Sequence, residues 1–95
     1  MPQTVVADLE RLMTLTRAQL RAIDGPDADV IALVEHSRDE QIELCELADL
    51  AADRDDEETA RHHEQEAAAW RETARLLTLH LALRHGVSDR TSGVA

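Results

Sequence analysis

The 95-residue chain has no lysine, no phenylalanine and no tyrosine, and it holds one tryptophan, Trp70, one cysteine, Cys45, three glycines and two prolines. Each shortage excludes something. Phosphate backbones are gripped by clustered Lys and Arg, so a chain without lysine and with a net charge of −10 is not built for nucleic acid. One cysteine closes no intrachain disulfide, which fits a reducing compartment. No apolar run nears the roughly 20 residues that span a bilayer, and the N-terminus shows neither the basic nor the apolar part of a signal peptide. A cytoplasmic protein with no membrane partner is expected. With the large aromatics missing, the 43% apolar content falls mainly to Ala, Leu, Val and Ile. Small side chains bury little area each, and at about 25 cal/mol per Å² a monomer of this size is marginal. Association with a protein partner or a second copy is the expected remedy.

What is present is helical periodicity. Val5, Val6, Leu9, Leu12, Met13, Thr16, Leu20 and Ile23 recur at spacings of three and four, which predicts a first helix over about 4–23. It ends at Asp24-Gly25-Pro26-Asp27, where Gly suits a helix C-terminus, Pro the first turn of the next helix, and Asp27 the unpaired N–H groups there. From Asp27 to His85 no Gly or Pro intervenes. One continuous helix over this stretch is therefore an open alternative; the preferred reading places a break at 53–56, inside Asp53-Arg54-Asp55-Asp56-Glu57-Glu58, because Asp is poor within a helix and good at its start. Asp55 with Glu58 resembles a capping pair.

A second helix over about 27–52 then carries Val30, Val34, Ser37, Gln41, Leu44, Ala48 and Ala51 as a heptad-like seam. A third, over about 56–85, carries Ala60, His63, Ala67, Trp70, Ala74, Leu77 and Leu81 in the same rhythm. Gly86 is read as its end, with Arg84 and His85 suited to the negative end of the helix dipole, and 87–95 as a frayed, disordered tail. The predicted fold is all-α: three helices in one domain over 1–86, an antiparallel bundle or long helical hairpin completed by dimerisation. Residues 27–53 hold nine acidic side chains against one Arg, a net −8, so the second helix is the acidic element.

Two polar stripes invite a chemical reading. Asp29, His36, Glu40 and Glu43 fall within about 60° of arc on the second helix. Asp55, Glu58, His62 and Glu66 make a similar stripe on the third, with His80 further along. Facing one another, such stripes suit a divalent metal (iron, zinc or manganese), with His36, Glu40, Glu43, His62 and Glu66 as candidate ligands. The plainer reading, two solvated faces opposite two seams, is preferred because the chain contains no Glu-x-x-His pair. His63, in the seam, is read as a hydrogen-bonded histidine at the core edge. Ser37 and Gln41 are read as polar seam residues that set register, and Cys45 as a small buried apolar group. No phosphate loop, nucleophile elbow or paired-cysteine spacing occurs, so no catalytic residue is nominated.

Leu9-Glu10-Arg11-Leu12 and Ala18-Gln19-Leu20-Arg21-Ala22, then a short polar turn, the Asp29-to-Leu50 helix and a last helix with Arg75-Leu76-Leu77, resemble the flagellar export chaperones of the FlgN and FliT type. The resemblance covers most of the chain. It implies a helical chaperone whose apolar groove holds a helix of another protein. The candidate partner-binding residues are Trp70, Leu76, Leu77, Leu79, Leu81 and Leu83.

The run His36-Ser37-Arg38-Asp39-Glu40-Gln41-Ile42-Glu43-Leu44 resembles the second helix of encapsulated ferritins. In that resemblance His36, Glu40 and Glu43 match a peripheral metal site, while Gln41 and Leu44 stand where the family has its ferroxidase Glu and His. The leading expectation is a non-enzymatic, acidic, chaperone-like helical interaction module with no cofactor. The alternative is a ferritin-like metal-binding protein that dimerises or forms a ring.

Overall fold

The structure is a computed structural model that describes the backbone of residues 2–94 and the side chains of residues 5–85. Among the described residues the chain forms four α-helices and no strand: α1 (Pro2–Leu12), α2 (Arg17–Ala22), α3 (Asp27–Asp53) and α4 (Glu57–Val94). α4 continues through Gly86, where its end was expected, to Val94, and the side chains of 86–95 lie outside those described. α3 and α4 pack along one another as an antiparallel hairpin, with α1 against α4 and α2 against α3.

The hairpin closes where Asp residues were expected to close it. Asp55 sits at φ 60°, and its N–H and that of Asp56 bond back to the Ala52 and Ala51 carbonyls at 3.0 and 2.9 Å. These two hydrogen bonds satisfy the Ala51 and Ala52 carbonyls near the end of α3, and Asp tolerates the left-handed conformation better than most residues. α4 then starts under a cap from Asp56, whose Oδ1 accepts from the Thr59 N–H at 3.2 Å. The cap is thus one residue later than the expected pairing of Asp55 with Glu58.

All fourteen residues of the two predicted seams are buried or half-buried. Ser37, fully buried, turns its hydroxyl onto its own helix and donates to the Leu33 carbonyl at 2.8 Å. Its small side chain lets the helices approach without an orphan polar group.

The N-terminal segment differs from the single helix predicted over 4–23. Met13, 88% exposed, adopts φ 56° and ends α1. Thr16 then starts α2 through a capping box: its Oγ1 accepts from the Gln19 N–H at 3.1 Å, and Gln19 Oε1 accepts from the Thr16 N–H at 2.8 Å. The bend lets Val5 and Leu9 of α1 join the same apolar cluster as Leu15 and Ile23, together with Val30, Leu33, Val34, Leu76 and Leu77.

That cluster lies at one end of the hairpin, and the molecule is long rather than round. Its radius of gyration is 15.9 Å and its extents are 55 × 30 × 21 Å, whereas a compact chain of this length has a radius near 12 Å.

Candidate partner-binding surface

The residues nominated for partner binding divide by burial. Leu77 is fully buried and Leu76 nearly so, both inside the chain's own cluster. A partner reaches them only if that cluster opens. Trp70 and Leu81 are half-buried and pack against the same cluster. Leu79 and Leu83, each 38% exposed, remain at the surface one turn apart. Two of the six therefore offer an open apolar contact without rearrangement.

Beside them, Arg84 ties the base together. Its Nη1 donates to the Gly25 carbonyl at 2.9 Å and to Asp27 Oδ1 at 2.8 Å, while Nη2 donates to the Ile23 carbonyl at 2.7 Å. Nη2 also lies 3.0 Å from His80 Nε2. A guanidinium only donates, so Nε2 is the acceptor and the His80 proton sits on Nδ1. His85 Nε2 meets the other oxygen of Asp27 at 2.6 Å. Hydrogen bonds from Arg84 and then His85 hold the Asp27 carboxyl below its usual range.

Arg84 and His85 thus serve the α2–α3 turn rather than the end of their own helix, and Asp27 serves them rather than capping α3, whose N-cap is Pro26. Gly25 permits the close turn: a Cβ there would stand 3.1 Å from the Ala22 carbonyl oxygen and 3.3 Å from the Asp29 carboxylate. A second tie joins the α1–α2 linker to α4. Thr73 Oγ1 donates to the Ala69 carbonyl, so in its bond with Thr14 the Thr14 hydroxyl is the donor.

An open groove runs over α1 and α2, with Val6, Met13, Leu15 and Leu20 among its apolar walls and Glu10, Arg17, Arg21 and Asp24 at its margins. Sequence reading does not find it, because it exists only where α1 folds back on α2.

The candidate metal ligands are not brought together. His36 packs edge-on against the Trp70 ring, 5.3 Å between centroids and at 90°. In an antiparallel hairpin with His36 opposite Trp70, His62 lies eight residues, about 12 Å of helix, nearer the turn. His62 and Glu66 pair with each other at 3.5 Å on an exposed face, Glu40 is half-buried and Glu43 exposed. Among the described residues no group of three or more His, Cys, Asp or Glu is placed to hold a metal ion.

Two further expectations change. Cys45 is exposed, not buried, because it stands 100° around the helix from the half-buried Leu44. His63 is at the core edge as expected, but its enclosed Nδ1 makes no hydrogen bond; Glu66 Oε1 is 3.6 Å away. No helix among the described residues is long and apolar enough to cross a membrane.

No curated protein and no solved structure matches the chain. The model of one family, the TY-Chap C-terminal domain (Chap-C), matches residues 3–84, a span that takes in α1, α2, the hairpin and the Arg84 tie. With most of its length covered, the chain belongs to the TY-Chap C-terminal domain family.

Proposed function

We propose that the chain is a non-enzymatic, chaperone-like interaction module that shelters an apolar segment of a protein partner against the exposed leucines of α4. Membership of the TY-Chap C-terminal domain family carries this reading. Leu79 and Leu83 supply the surface, next to the half-buried Leu81 and on the helix that also anchors α1. A partner segment with apolar residues at helical spacing would extend the base cluster outward.

Self-association is the other route by which this surface gains cover. Sedimentation equilibrium over a range of concentrations separates the two: a mass that stays monomeric removes self-association and leaves partner binding in place.

The reading is tested by light scattering of a thermally unfolding helical reporter protein with and without the chain. The chain is expected to suppress aggregation, and L79S/L83S, checked by circular dichroism to be folded at the temperature of the assay, is expected to lose that effect. A wild-type chain that suppresses nothing at any ratio, or a double variant that suppresses fully, overturns the proposal.

A further inference from the structure

The distal half of the hairpin is a thin two-helix arm. The apolar cluster that α1 and α2 join reaches α3 at Val30, Leu33 and Val34 and α4 from Trp70 to Leu81. From Arg38 to Ala69 the buried side chains are four alanines, Ala48, Ala51, Ala60 and Ala67. An alanine methyl removes far less surface from water than a leucine side chain, so little apolar burial holds this arm closed.

The arm also concentrates the charge. Residues 38–66 carry twelve acidic side chains against three arginines, a net −9 out of the chain's −10. Within this acidic stretch Leu47 and Leu50, one turn apart on α3, are 41% and 54% exposed. Glu43 and Glu46 precede them by four residues each and therefore share their side of the helix.

We propose that the Leu47–Leu50 face of α3 is a docking surface for a basic amphipathic helix of a protein partner. The apolar side of that helix lies on the two leucines, and its Lys or Arg side chains stand beside Glu43 and Glu46. Charge selects this occupant. A second copy would bring a like-charged arm against the first, and a nucleic acid or an anionic lipid surface would be repelled. Acidic residues steer and orient a cationic helix, while the leucines supply the area that holds it. The inference rests on the partner-binding reading above and adds a second contact, on a different face, to the one on α4.

The probe is a synthetic helical peptide of Leu and Lys with leucines at i, i+3, i+4 and i+7, titrated against the full chain by fluorescence anisotropy. Binding is expected to weaken steeply with added salt, and L47S/L50S is expected to lower affinity roughly tenfold. Because both leucines are exposed, the variant's circular dichroism melt should overlay the wild type. A peptide of the same composition with its leucines scattered is expected to bind more weakly.

Equal binding of the scattered peptide, or an unchanged affinity in L47S/L50S, overturns the inference. If L79S/L83S alone abolishes binding, the docking site is on α4: the arm inference falls and the chaperone-like reading stands. A wild-type chain that neither binds the peptide nor suppresses aggregation removes both.

Discussion

Arg84 joins positions 57 to 61 residues away through three donated bonds, two of them to the backbone carbonyls of Ile23 and Gly25. Replacing it with methionine keeps the apolar stem and removes every donor. The two carbonyls then lose their partners at a cost of about 2 kcal/mol, and a thermal melt should fall by roughly 10 °C. Lysine should restore only part of this, since one ammonium does not reproduce the planar fork.

Asp27 makes a pH-dependent contribution to the same tie. Hydrogen bonds from Arg84 and then His85 hold its folded carboxyl below the usual carboxylate range. A group depressed in the folded state stabilises the protein above its unfolded pKa, and that contribution is lost as the pH falls through the folded value. The gap in melting temperature between wild type and D27N should therefore close as the pH falls below about 4. A gap that persists at lower pH would show that the Asn change acts through something other than the carboxylate.

At the scale of elements, both left-handed residues mark where a helix stops. Asp55 places a negative side chain at the negative end of α3 as well as a Cβ in a region that glycine occupies freely. D55G should raise stability by about 0.5 kcal/mol or more, read from the midpoint of urea unfolding, the gain in the turn exceeding the extra freedom glycine adds to the unfolded chain. T16A should act in the opposite sense, costing about 1 kcal/mol through the lost N-cap of α2.

The two breaks were not equally legible in the sequence. The turn at 54–56 shows as a cluster of Asp in a stretch, 27–85, that holds no Gly or Pro. The α1–α2 break lies inside an unbroken apolar pattern, where Leu12, Met13 and Thr16 continue the helical spacing. Its local signal was the Thr16–Gln19 capping pair, which periodicity overrode.

At the scale of the molecule, a base with a mixed apolar cluster supports an arm whose buried side chains are four alanines and whose charge is −9. Like charges along the arm repel over about 30 Å at 0.01 M salt and only about 8 Å at 0.15 M. The melting temperature should accordingly rise as sodium chloride is added over that range. A fall would mean that the surface pairs, Arg75 with Glu72 and Arg84 with Asp27, outweigh the repulsion.

The amino-acid order by itself determines the all-α class and all fourteen seam residues and marks 53–56 as the favoured place for a turn, because each of these follows from spacing and backbone preference within one stretch of chain; that the chain does turn there, and is not one continuous helix, is decided by the tertiary structure. Only the tertiary structure decides which leucines of α4 are core and which are surface, since that depends on the cluster built from α1, α3 and α4, which encloses Leu76 and Leu77 and leaves Leu79 and Leu83 open. It likewise separates His36 from His62 along the hairpin, and it turns Arg84 from a helix-end cation into the tie across the base. Contacts of that kind join residues more than fifty positions apart, and local periodicity carries no record of them.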